Sequence, residues 1–113
     1  MSKFFLLYLA PVSAIDQMMA NSNPEQMKAG MDAWMAWGKK AATSIVDMGG
    51  PLGKTKRITP AGIEDVSNNI GAYMVVRAAS HEAAAKLFEN HPHFTKFPGE
   101  AVEVMPVLPI PGQ

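Results

Sequence analysis

From Ile70 onward the hydrophobic pattern changes period twice. Ala72, Met74, Val76 and Ala78 fall on one side of a strand over Ile70–Ala78, with Tyr73, Val75 and Arg77 on the other. Ser80 then caps a helix in which Ala84, Leu87, Phe88 and His91 share one face. Pro92 ends that helix by pushing His91 out of helical geometry. After a loop over His93–Gly99, a closing strand sets Val102 and Val104 against Ala101, Glu103 and Met105. The beginning of the chain lacks such alternation. Phe4 to Leu9 form an unbroken apolar and aromatic run within Lys3–Ala10, stopped by Pro11. That run predicts a strand apolar on both faces, which belongs in the middle of a sheet covered on both sides.

Between these ends lies a helix. Ser13–Ala20 predicts a short helical turn, and Asn21–Asn23 is a polar break. The main helix starts either at Asn23 as cap with Pro24 at its first position, or with Ser22 and Glu25 as a capping box. Met27, Met31, Trp34, Gly38 and Ala41 recur at helical spacing and predict the core stripe, flanked by Met35 and Trp37. Gly38 in mid-helix costs up to about 1 kcal/mol relative to alanine, so a close neighbour is expected there. Ile45–Met48 predicts a short strand stopped by a turn at Gly49-Gly50-Pro51. Lys54–Thr59 and Ile63–Val66, joined around Pro60-Ala61, read as a hairpin with Arg57 opposite Glu64 and Lys56 opposite Asp65. The tail PVLPIPGQ has too many prolines for a ladder strand and is expected to lie extended on the surface.

With the hairpin set aside as an insertion, the order is βαββαβ. This predicts an α+β, ferredoxin-like fold: a four-stranded antiparallel sheet, first and third strands central, both helices on one face. The helices cover one face only, yet the first strand is apolar on both and the third carries Tyr73 and Val75 on its far side. The economical cover for such a surface is a second copy related by a two-fold axis, a homodimer through the sheet face.

Composition narrows the partners. The 113 residues, 48% of them hydrophobic, suit one domain spanning 1–113. Ten acidic and ten basic residues leave a net charge of zero, so neither nucleic acid nor an anionic membrane is an expected partner. Single-stranded RNA on the open sheet finds Tyr73 but no basic stripe with interleaved aromatics. With no cysteine, disulfides, thiolate nucleophiles and thiolate metal sites all drop out. The opening MSKFFLLYLAPVSA imitates a secretory signal, but its removal would delete a strand the fold needs, and a cytoplasmic location is the default expectation.

Several segments in order carry a resemblance: FFLLYLAP, the Met and Trp helix leading to Gly49-Gly50-Pro51-Leu52, the strand at Gly71-Ala72-Tyr73, His91-Pro92-His93-Phe94, and the closing VEVMP. Together they resemble the YCII-related family, a branch of the dimeric α+β barrels. The resemblance implies a homodimer whose two sheets face each other around a cleft, and acid/base chemistry on a small organic molecule there. It also implies a histidine on the first helix and an aspartate near the second strand. No histidine lies between Met1 and Ser80, and Ser67-Asn68-Asn69-Ile70 stands where a related subgroup carries Asp-Gly-Pro-Phe.

The candidate catalytic residues are Asp47, His91 and His93. The histidines are closely spaced imidazoles suited to binding a metal or to proton transfer near neutral pH, but Pro92 separates them and no cysteine or obvious carboxylate completes a metal set. The plainer reading puts His91 at its helix end and His93 in a solvated loop. Asp47, among Ile45, Val46 and Met48, is either a partly buried carboxylate with raised pKa or an exposed edge residue. Tyr73 and Arg77 are candidate binders of an anionic or aromatic ligand in the dimer cleft, or interface residues. The methionines and tryptophans read as packing. With no Gly-rich phosphate loop, nucleophile elbow or metalloprotease helix, no cofactor and no metal is expected. Two functions stay open: an acid/base enzyme, or a non-enzymatic dimer that binds a small ligand or supports another protein.

Overall fold

The computed structural model describes residues 1–11, 20 and 23–112. The turn expected over Ser13–Ala20 falls, but for its last residue, outside them. β1 (Ser2–Leu9), β2 (Ile45–Pro51), β5 (Ile70–Ala78) and β6 (Ala101–Pro106) form an antiparallel sheet in the order β2-β5-β1-β6. β1 and β5 are therefore central, as the double-sided apolar run requires. β3 (Thr55–Thr59) and β4 (Gly62–Val66) form the separate hairpin. Its register places Lys56 opposite Asp65 and Arg57 opposite Glu64, with ion pairs of 2.7 and 3.4 Å at exposed positions. The architecture is α+β, and among the described residues no helix is long and apolar enough to cross a membrane.

The core is built from one face of the sheet. Phe4 lies opposite Val76 and Leu6 opposite Met74, and all four are buried together with Tyr8. Against them pack Trp34 and Trp37 from α1 (Pro24–Lys40), Ala84 from α2 (His81–Lys86) and Phe88 just beyond it. The helices thus share the sheet's inner face.

Asn23 settles the start of α1. Its side chain accepts from the Gln26 amide at 2.8 Å, and the Gln26 side chain accepts from the Asn23 amide in return, a capping box one residue later than Ser22 would supply. The inward stripe also differs from the expected one. Gly30, Trp34, Trp37 and Ala41 turn inward, the two tryptophans onto the sheet and Gly30 against Phe97, whereas Met31 and Met35 are 53% and 57% exposed. Two indoles have more apolar surface to bury than two methionines, so the helix rotates to bring both inward. The Trp37 indole N–H then donates to the Leu87 carbonyl at 3.0 Å, which pins α1 to the end of α2.

Two further boundaries differ. β2 does not stop at Met48: it runs through Gly49-Gly50 to Pro51, with the register slipping between Asp47 and Gly50 as a bulge. Gly49 has φ of 66°, and a Cβ there would collide with the Tyr73 carbonyl. Glycine lets the strand bulge and continue where the turn signal predicted an end. The second helix is shorter than expected, ending at Lys86, and Asn90 with φ of 58° turns the chain sharply. His91 therefore sits on no face of that helix. It becomes the cap of a new helical turn, α3 (Pro92–Thr95), inside the segment expected to be a loop.

Candidate ligand site

The turn at α3 drives two histidines into the protein. His91 is fully buried and His93 is 6% exposed, so His93 does not occupy the solvated loop expected of it. The rings of Tyr8, Trp34, Trp37 and Phe88 surround the His91 imidazole at centroid distances of 4.4 to 5.7 Å. His91 Nδ1 accepts the His93 backbone N–H at 2.9 Å, which places the imidazole proton on Nε2, 3.4 Å from the Tyr8 oxygen. The Tyr8 hydroxyl in turn points at Met74 Sδ, 3.9 Å away. Burial, and secondarily the nearby His93, push the His91 pKa down to about 4. Burial likewise raises the Tyr8 phenol well above its ordinary value. Neither group exchanges a proton readily near neutrality.

His93 is held differently. Its Nε2 lies 2.9 Å from the Leu9 carbonyl and 3.0 Å from the Ala101 carbonyl, two residues paired across β1 and β6. Two carbonyl partners require Nε2 to carry the proton. Nδ1, without a hydrogen-bond partner among the described residues, is then the nitrogen able to accept one. Gly99 makes the close fit possible, since a Cβ there would collide with the His93 backbone and ring.

Beside His93 a cleft opens between α1, the ends of the central strands and the segment after α3. It has two adjoining lobes of about 230 and 270 Å³. Tyr8, Trp34, Pro51, Ala72 and Phe97 border both; His93 borders the first and Met31 the second. The lining is almost wholly apolar and aromatic. Trp34 meets Phe97 edge to face at 5.8 Å, forming one corner of the wall.

Of the other candidates, Asp47 and Arg77 do not line this cleft and Tyr73 reaches only its second lobe. Asp47 is exposed, opposite Val75 on the sheet's outer face, with Oδ1 accepting the Gly49 N–H at 2.8 Å. Tyr73 stacks on Phe5 at 5.9 Å on that same face, although it also touches the second lobe. Arg77 is exposed there, opposite Lys3. Of the candidates named from sequence, the structure brings together only His91 and His93. Among the described residues no three His, Asp or Glu side chains gather closely enough to hold a metal ion. Trp34 reads from sequence as packing, Tyr8 as one member of the apolar first strand, and Phe97 falls in the expected loop over His93–Gly99. A single phenol hydroxyl within an otherwise apolar strand was the available signal for Tyr8.

No family model matches the sequence, and no curated protein matches it. Among solved structures the chain is similar to the 5-chloro-2-hydroxyhydroquinone dehydrochlorinase of Burkholderia phenoliruptrix AC1100 in complex with 2,5-dihydroxybenzoquinone. The TM-score is 0.54, with 17% identity over 90% of this chain and 89% of that one. At that identity the likeness shows the fold alone. It agrees with the α+β class read from the sequence.

Proposed function

We propose that this chain is a YCII-related protein of the ferredoxin-like, dimeric α+β barrel type, and that it binds a small, flat, largely apolar organic molecule in the cleft under α1. The carrying observation is the cleft itself: an apolar hollow walled by Tyr8, Trp34 and Phe97 beside a buried imidazole. A cavity of roughly 150 Å³ already accommodates benzene, so each lobe has room for one ring. The resemblance implied a cleft between facing sheets, whereas this one lies within a single chain on the helix side. The outer face is left for the two-fold mate.

A second reading, acid/base catalysis, is favoured by His93. With Nε2 committed to two carbonyls, Nδ1 is the candidate base beside the bound molecule. The named reaction of the structural neighbour, dehydrochlorination of a substituted hydroquinone, is the kind of chemistry such a base serves. Titration with 2,5-dihydroxybenzoquinone and substituted hydroquinones, followed by calorimetry and product analysis, tests both readings. Binding without turnover supports the first; turnover abolished in His93→Gln supports the second; a folded protein that binds none refutes both. Leu7→Asp on the outer face tests the dimer: sedimentation is expected to change from dimer to monomer with unchanged circular dichroism.

A further inference from the structure

Resting on that ligand-site reading, we infer that Phe97 is the specificity-determining residue of the cleft, limiting its occupant to about one aromatic ring, and that Gly30 is what seats it. Phe97 borders both lobes, so its ring is a limit common to the two. Either lobe alone is smaller than the roughly 300 Å³ at which drug-sized pockets begin. The position of the ring is set by α1. Gly30 is the helix's one buried residue, and a Cβ built on it would lie 2.6 Å from Phe97 Cζ and 3.1 and 3.2 Å from the two Cε atoms. The ring tip thus occupies the space a side chain at position 30 would fill. Trp34 meets the ring edge to face at 5.8 Å, and both rings border the cleft.

Opposite changes at this contact move the size limit in opposite directions. A methyl in Gly30→Ala displaces the ring tip, and the free space next to it is the cleft, so the hollow narrows. Phe97→Ala removes the wall and lets the lobes accept a larger molecule. Phe97→Leu does the same to a smaller extent, with less risk to folding.

The probes are phenol and 2-naphthol, measured by calorimetry or ligand-observed NMR on the full chain. Phe97→Ala is expected to raise the affinity ratio of 2-naphthol to phenol by about tenfold, the scale at which pocket size discriminates. Phe97→Leu is expected to raise it less, and Gly30→Ala to lower it below that of the unaltered protein. A ratio unchanged in folded Phe97→Leu and Gly30→Ala, with phenol still bound, overturns the inference and leaves the ligand site standing. Failure of the unaltered protein to bind either probe overturns the ligand-site reading, and this inference with it.

Discussion

The two faces of the sheet have similar apolar content and opposite fates. On the inner face Leu6 and Val76 are fully buried, and Phe4, Tyr8 and Met74 are nearly so under α1, α2 and the aromatic cage around His91. On the outer face Phe5, Leu7, Leu9, Tyr73 and Val75 remain half-buried, with Asp47 and Arg77 exposed beside them. Strand alternation makes neighbours such as Leu6 and Leu7 point to opposite environments, so one backbone builds both a finished core and an unfinished surface. The difference teaches that apolar sequence alone does not locate the core. What decides is which face the connecting helices return to.

The sharpest test of this contrast is a pair of adjacent substitutions. Leu6→Ala is expected to cost about 2–5 kcal/mol by removing packed core volume. Leu7→Ala, at concentrations where the chain is a monomer, should cost about 1 kcal/mol, because the residue is half-solvated. Chemical denaturation measures both, and equal losses would break the contrast. Acid titration gives the next effect. The His91 pKa is depressed to about 4, so the unfolded chain binds the proton first and stability falls as pH drops from about 6.5 to about 4. The full loss approaches roughly 3 kcal/mol. His91→Asn keeps a cap acceptor without the imidazole, and should flatten the pH dependence of the unfolding midpoint over that window.

A smaller effect separates two glycines of α1. At Gly38 a Cβ would meet Met48 Cε at 3.5 Å, ordinary contact, so the close neighbour expected there leaves room for a methyl. Gly38→Ala should therefore stabilise the fold by up to about 1 kcal/mol in a thermal melt. Gly30→Ala in the same melt should gain less or lose stability, because Phe97 must move. The smallest effect lies outside both faces. Lys56→Ala in the hairpin removes a 2.7 Å ion pair between exposed groups, and should change stability by no more than about 0.5 kcal/mol.

Much of this was legible in the chain. The presence and order of the strands, the hairpin register with Lys56 opposite Asp65, the cap at Ser80, the start of α1 to within one residue, and the central place of the first strand all follow from local chemistry. They depend on period, turn residues and short-range hydrogen bonds, which adjacent residues settle among themselves. The misplaced features are set either by contacts far apart in sequence, as with the inward side of α1, or by a single backbone turn that periodicity does not register. His91 looked like a helical residue because Ala84, Leu87 and Phe88 precede it at helical spacing, and only the turn at Asn90 redirected it into the aromatic cage.

By itself, then, the sequence determined the α+β class, the order of elements and the presence of more apolar sheet surface than two helices cover. Tertiary structure decided which side of α1 turns inward, that His91 and His93 are buried, and that the cleft lies under α1 beside His93, lined by neither Asp47 nor Arg77. Periodicity is carried by residues a few positions apart. The cleft needs Tyr8, Trp34, Ala72, and His93 with Phe97, from four separated segments, and no local pattern records where the folded chain brings such residues together.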